Sequence, residues 1–251
     1  MRIEEMHWKL RLEYNEMANN HKKTFSDAEM DEVINMAIKE YKEIFFSGNN
    51  AKQYKIGFEV TQQRIDMLHT LVVGQPEQPI VSPTSVDTNL NIYEFKLDDL
   101  ALTYAHFINA SIKPSHCTDL YSFSLEEGGD INKALTNANT RPSNTWGRSL
   151  GRIRRSTDGI GKSLYVYTGG EFEIEGLYIE YLKEPAKVAL GTYNEMPTLD
   201  NPTPGLRPQV HCDLPEDYHH LVVTIAAQEI ARILLNVNSL RSHTDRVNKI
   251  V

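Results

Sequence analysis

Residues 163 to 185 read Ser-Leu-Tyr-Val-Tyr-Thr-Gly-Gly-Glu-Phe-Glu-Ile-Glu-Gly-Leu-Tyr-Ile-Glu-Tyr-Leu-Lys-Glu-Pro. Aromatic and β-branched residues crowd this stretch, and apolar side chains alternate with polar ones, as the two-residue period of a strand demands. Gly169-Gly170 supplies a pair able to take positive φ in a tight turn. The spacing therefore predicts a hairpin, with Leu164–Thr168 meeting Glu171–Glu175 across the two glycines. A further strand over Leu177–Leu182 follows Gly176 and ends before Pro185. Its residues Leu177, Ile179 and Tyr181 turn one face inward.

Upstream of this stretch the β pattern continues. Tyr93, Phe95 and Leu97 alternate with Ile92, Glu94 and Lys96, Leu102–Ile112 is rich in strand formers, and Leu120–Leu125 is a shorter candidate. Residues 126–162 are polar, contain Gly and Arg, and carry little pattern, so they read as a long loop. Residues 74–88, with Pro76, Pro79 and Pro83, read as a linker.

Before that linker the period is helical. Ile3, Met6, Leu10, Tyr14 and Met17 form one stripe, and Met30, Val33, Ala37, Tyr41, Ile44 and Phe45 a second. Ser26 and Glu29 have capping-box spacing ahead of the second helix, and Gly48 is placed to stop it. A third stripe runs through Tyr54, Phe58, Thr61, Ile65, Leu68 and Val72. Residues 186–212, with Pro197, Pro202, Pro204 and Pro208, read as an extended arm over the surface. Asp213-Leu-Pro-Glu216 then opens a helix through residue 237, with Asp as cap and Val222, Ala226, Ile230, Ile233 and Val237 inside. Residues 238–251 form a tail.

The expected fold class is α+β. It comprises a helical region 1–73, a linker 74–88, an antiparallel β region 89–185 (one sheet or a sandwich) with the loop 126–162, the arm, and the C-terminal helix.

Composition narrows function. The formal charge is −8, with 40% hydrophobic and 24% charged residues. That balance suits a folded protein and argues against a main task of gripping nucleic acid, which needs clustered cations. An acidic wall that DNA merely passes is compatible with it. Two cysteines, Cys117 and Cys212, make no disulfide framework and suit a reducing compartment. No secretory signal or stretch long enough to span a bilayer is visible, so a soluble protein made in the cytoplasm is expected.

Chemistry-bearing motifs are few. Ser156-Thr-Asp-Gly-Ile-Gly161-Lys162-Ser163 imitates a phosphate-binding loop, but Ser156 stands in place of the first Gly. The helix whose amides would bind the anion is replaced by strand residues from Leu164. His116-Cys117 and His211-Cys212, with His219 or His220, lack zinc-ligand spacing, and neighbours on an extended chain point to opposite faces. Asp98-Asp99 and Glu126-Glu127 are adjacent pairs, unable to flank a substrate, and no nucleophile elbow is present. The expectation is no enzyme, no cofactor and no metal.

One local cluster opposes the acidic balance: Arg148, Arg152, Arg154, Arg155 and Lys162, interspersed with glycines. It reads as a flexible cationic loop, solvated, in contact with DNA phosphates, or facing an acidic patch on an adjoining subunit. The subunit contact ranks first, with Trp146 as an aromatic anchor beside it.

Three stretches carry a family resemblance: Asp31–Tyr41 with Gly57–Leu68, the hairpin through Leu177–Pro185, and Leu214–Ile230. Together they resemble neck and ring proteins of tailed bacteriophages, especially crAss-like phages, and more loosely head–tail connector and tail-adaptor proteins. That resemblance implies a structural virion protein forming a homo-oligomeric ring, commonly a dodecamer. The ring would join the portal to adjacent neck or tail proteins, with DNA passing through unread. It implies no catalytic residues, and extended segments that clasp neighbouring subunits. The alternative is a tail-associated β-sandwich module binding carbohydrate or receptor through Trp146 and Tyr121. A nucleotide-dependent enzyme using Lys162 ranks third.

Overall fold

A computed structural model describes residues 1–17, 25–47, 66–74, 84–87, 92–126, 131–193 and 205–233. The protein is α+β. It divides into two units: Met1–Leu71 together with Pro185–Val251, and Val72–Glu184. The seams fall within two residues of where the sequence changes period.

In the first unit, α1 (Ile3–Met17) and α2 (Asp27–Ser47) bury the expected stripes. Ile3, Met6, Leu10 and Tyr14 are inside, as are Met30, Val33, Ala37, Tyr41 and Phe45. The capping box forms: the Ser26 amide donates to Glu29 Oε2 at 2.8 Å, and the Glu29 amide donates back to Ser26 Oγ at 3.3 Å. Gly48 and most of the third stripe lie outside the described residues, as do Val237 and the 238–251 tail. Of that stripe's last two residues, Leu68 is buried in a short helical turn and Val72 already belongs to a strand.

The C-terminal helix is more enclosed than its pattern suggests, and it is described through Ile233. A 3-10 turn over Glu216–Tyr218 leads into α4 (His219–Ile233), which packs against both α1 and α2. Leu221 through Gln228 are all buried, so α4 is a central helix, buried on every side over that stretch. Pro215 stands at the N-cap of that 3-10 turn, and the Asp213 carboxylate accepts from the Ala186 amide at 3.4 Å.

The arm also departs from its expected surface path. Val188 and Ala189 are fully buried, and Ala189 pairs with Val210 in an antiparallel bridge. Two carboxylate and carboxamide side chains of α2, Asp31 and Asn35, hold its backbone. The described part of this segment is therefore bound by its own chain, and it is no free clasp.

The second unit is one eight-stranded sheet, order β1-β8-β4-β5-β6-β7-β3-β2. The strands are β1 (Val72–Gly74), β2 (Thr84–Asp87), β3 (Ile92–Lys96), β4 (Tyr104–Pro114), β5 (Tyr121–Leu125), β6 (Arg148–Arg155), β7 (Lys162–Tyr167) and β8 (Ile174–Lys183). Tyr93 and Phe95 of β3 share one buried cluster with Leu177, Ile179 and Tyr181 of β8, although four strands separate them in the sheet. The sheet is therefore curled around its core and is not a sandwich of two.

Two expectations about this unit need correction. The first is the hairpin. Gly169 and Gly170 do take positive φ, 63° and 77°, and the Glu171 amide donates to the Thr168 carbonyl at 3.2 Å. Yet the turn joins strands that never pair. β7 lies between β6 and β3, while β8 lies between β1 and β4 and runs unbroken through Gly176. Local alternation fixes strand identity, whereas pairing partners are chosen by nonlocal burial.

The second correction is residues 126–162, which are not a loop. They contain a helix, α3 (Ile131–Thr136), and the whole of β6. β6 pairs parallel with β5, so the sheet is mixed and not antiparallel throughout. A parallel pair requires a crossover, and the segment from Glu126 to Gly147 provides it. The 74–88 linker likewise includes the end of β1 and all of β2; its residues 75–83 and 88 lie outside the described set. Among the described residues, no helix is long and apolar enough to cross a membrane.

Candidate functional site

The cationic segment is a regular strand. Arg148, Arg152 and Arg154 share the outer face of β6, because alternate residues face one way. Arg155 points to the other face. The register sets Arg152 opposite Tyr165 and Arg154 opposite Ser163.

The four arginines have different surroundings. Arg148 is half-buried and donates to the Asn139 carbonyl. Arg152 is half-buried, with its guanidinium carbon 5.6 Å from the centroid of the Tyr167 ring. Arg155 is exposed, and its Nε donates to the Gly159 carbonyl at 2.6 Å, closing the β6–β7 turn. Only Arg154 is both exposed and without a hydrogen bond or ion pair among the described residues. Among the described residues the four arginines thus divide into three engaged cations and one free one. Lys162, at the start of β7, is exposed and stands 5.9 Å from the centroid of Tyr104.

Trp146 stands just before β6 and is 74% exposed. Its loop is closed by paired hydrogen bonds between Ser143 and Arg148, at 2.9 and 3.0 Å. The base of the loop is pinned through Asn144. Asn144 Oδ1 accepts from the Tyr121 hydroxyl at 2.5 Å and lies 2.8 Å from His116 Nε2. The Asn144 amide donates to Glu171 Oε2 at 2.7 Å. A large apolar ring is therefore held out in solvent on a turn fixed from three sides. At the far end of β6, Ile160 in the β6–β7 turn is 76% exposed.

That β6–β7 turn is the segment resembling a phosphate loop. It is a hairpin connection: the Ser156 amide donates to the Gly161 carbonyl at 3.3 Å, and the Gly159 amide to the Ser156 carbonyl at 3.0 Å. A strand follows it in place of a helix, so no set of helix N-terminal amides faces a phosphate here.

The turn is fastened from below by Glu94, a residue that composition does not single out. Glu94 is 2% exposed and accepts from the Ser156 hydroxyl at 2.8 Å. It also accepts from the Thr157 hydroxyl at 2.6 Å, the Thr157 amide at 3.0 Å and the Tyr165 hydroxyl at 3.0 Å. Burial works against its charge, but these donors outweigh burial and hold its carboxyl down to about 2.

A comparable centre lies in the helical unit. Asp31, 1% exposed, receives His7 Nε2 at 2.7 Å on one oxygen. Its other oxygen accepts from the Leu190 amide at 3.0 Å and the Tyr193 hydroxyl at 2.5 Å. Burial raises the Asp31 pKa, and the hydrogen bonds from His7, Tyr193 and Leu190 more than reverse that, leaving it below its ordinary value. Burial and the Asp31 charge together push Tyr193 up to about 12. This is an anchor for the arm.

Sequence reading does not reach Asp31, Asn35 or Glu94. A signal for the first two does exist: Asp31, Asn35, Ile38 and Lys42 are all buried, a second stripe at helical spacing on α2. The two His-Cys pairs serve locally. His116 belongs to the Asn144 network, and His211 Nδ1 lies 3.5 Å from the Ile3 amide. His219 bridges the Met1 and Leu214 carbonyls. Both cysteines are free thiols. Among the described residues, no three His, Cys, Asp or Glu side chains converge as metal ligands.

No family model matches the sequence, and no curated protein matches it either.

Proposed function

We propose that this protein is a structural subunit of a homo-oligomeric ring in the head–tail neck of a tailed bacteriophage, and that it has no catalytic step. The observation that carries this reading is Trp146, exposed on a hydrogen-bonded turn beside a strand that also exposes Arg154, unpaired among the described residues. Tryptophan and arginine are the residue types that most often dominate binding energy at protein interfaces. A pinned loop loses little freedom on docking, which is what makes an exposed indole an efficient anchor.

Ring closure needs a head-to-tail contact, in which one patch meets a different patch on the next copy. Further exposed apolar side chains offer the complementary surface in each unit. Trp8 and Leu12, one turn apart on α1, are 61% and 44% exposed; Ile160 lies past the other end of β6. The formal charge of −8 supplies acidic partners for Arg154 and disfavours tight binding of the DNA that would pass through. The resemblance of the α2, β8 and α4 segments to phage neck proteins gives the ring its place, below a portal and within the virion.

Native mass spectrometry of the purified protein, with and without a portal ring, tests this. The expected result is a closed ring, commonly of twelve copies, formed alone or on the portal. A chain that stays monomeric in both conditions at tens of micromolar overturns the reading.

A further inference from the structure

A pocket of about 430 Å³ opens on the outer face of the sheet, where α3 lies over β3 and β7. Ile92, Ile131, Leu135 and Pro142 give it apolar walls, and Asn132 adds a polar one. Arg152 enters it from β6. The guanidinium is half-buried against the Tyr167 ring, and its Nε is shielded from solvent without a hydrogen-bond acceptor among the described residues. Arg141, exposed on the same pocket, has no side-chain hydrogen bond or ion pair among the described residues. The one carboxylate lining it, Glu171, already accepts from the Asn144 amide.

A shielded guanidinium donor without an acceptor is costly, and a planar carboxylate is the acceptor that matches its fork. The Tyr167 ring, 5.6 Å from the guanidinium carbon, is within cation–π range and helps to hold the group in the pocket. The volume lies in the range of small-ligand sites, and apolar walls with a few placed polar groups are the usual make-up of such sites. We infer that this pocket binds a carboxylate carried on a compact apolar group, held by Arg152 with Arg141 at the opening. That chemistry belongs equally to a small organic acid and to a glutamate presented by a peptide. The inference is independent of the ring reading, because Arg152 is turned into the pocket while Arg154 is exposed.

The test uses fluorine NMR of 4-fluorobenzoate with the full chain, and a competition arm with acetyl-Leu-Glu-Leu-amide against its Gln counterpart. Saturable broadening of the benzoate signal is expected, with 4-fluorobenzamide silent. Arg152→Lys, which keeps the charge and loses the fork, should weaken binding at least tenfold. The exposed Arg141→Gln, which leaves the fold untouched, should weaken it severalfold. Displacement by the Glu peptide but not the Gln peptide assigns the site to a peptide carboxylate. Benzoate binding without such displacement assigns it to small acids. Absence of saturable binding by either probe, or binding unchanged in both variants, overturns the inference.

Discussion

Asn35 grips Val188 through both ends of its carboxamide: the Val188 amide donates to Asn35 Oδ1 at 2.8 Å, and Asn35 Nδ2 donates to the Val188 carbonyl at 3.1 Å. The side chain thus stands in for a neighbouring strand, satisfying both polar groups of a residue that is fully buried. Asn35→Ala would leave that buried amide and carbonyl without partners. The expected cost is about 3 kcal/mol, read from urea unfolding, with faster hydrogen exchange at the Val188 amide. Asn35→Ala with unchanged stability would mean that the segment is held by apolar contact alone.

The acid limb of stability should report Glu94. Its carboxyl is held at about 2 in the fold, against an ordinary value of 4.5. A depressed carboxyl contributes stability that is complete above pH 4.5 and is lost as pH falls toward 2. The shift corresponds to roughly 3 kcal/mol across that window. Glu94→Gln should therefore be less stable at pH 7 and should lose the added acid sensitivity between pH 4.5 and 2. Thermal unfolding of both proteins across that range shows whether the slope disappears. Asp31 has the same sign, so Asp31→Asn should flatten the acid limb further.

A close approach explains Gly151. A Cβ built there would sit 2.4 Å from the Tyr165 carbonyl oxygen and 2.5 Å from the Phe123 ring. One of those contacts is backbone in the adjacent strand, so relief requires β6 and β7 to separate. Gly151→Ala should cost about 3 kcal/mol or more. Gly205→Ala, where nothing lies within 4 Å, is the control and should be near neutral in the same melt.

These residues show where the sequence is readable and where it is not. Ser26 and Glu29 could be paired from spacing alone, because the cap is a contact between residues three apart. The strand before Gly169-Gly170 was legible for the same local reason, but Glu171-Phe172-Glu173 after it is not strand, β8 begins only at Ile174, and the pairing partners were not legible. β7 is bound by β6 and β3, and nothing in Leu164–Tyr167 names them. β6 escaped notice because Arg148, Arg152, Arg154 and Arg155 occupy positions where apolar alternation would announce a strand. Its apolar part is reduced to Leu150, Ile153 and the forced glycine between them. Trp146 was visible as a residue type, while its fixed presentation depends on Asn144, His116, Tyr121 and Glu171, gathered from four separate segments.

Arg154 and Trp146 give the sharpest test of assembly. Arg155 has an internal task at the Gly159 carbonyl, so reversing it would confuse local damage with lost contact. Arg154 has none among the described residues, and Trp146 is 74% exposed. Substituting either should leave the melting temperature of the isolated chain within a degree or two, since exposed side chains without partners contribute little to folding. At an interface the same changes are expensive: truncating a hot-spot tryptophan costs about 2 kcal/mol or more per contact. In a ring every copy makes that contact, so the loss repeats around the circle. Trp146→Ala and Arg154→Glu should each shift assembly to at least tenfold higher protein concentration, measured by mass photometry or sedimentation. The Arg154 effect should shrink at high salt, where screening weakens the wild-type contact as well, and the Trp146 effect should persist. Equal assembly of all three proteins at moderate salt would place the subunit contact elsewhere on the molecule.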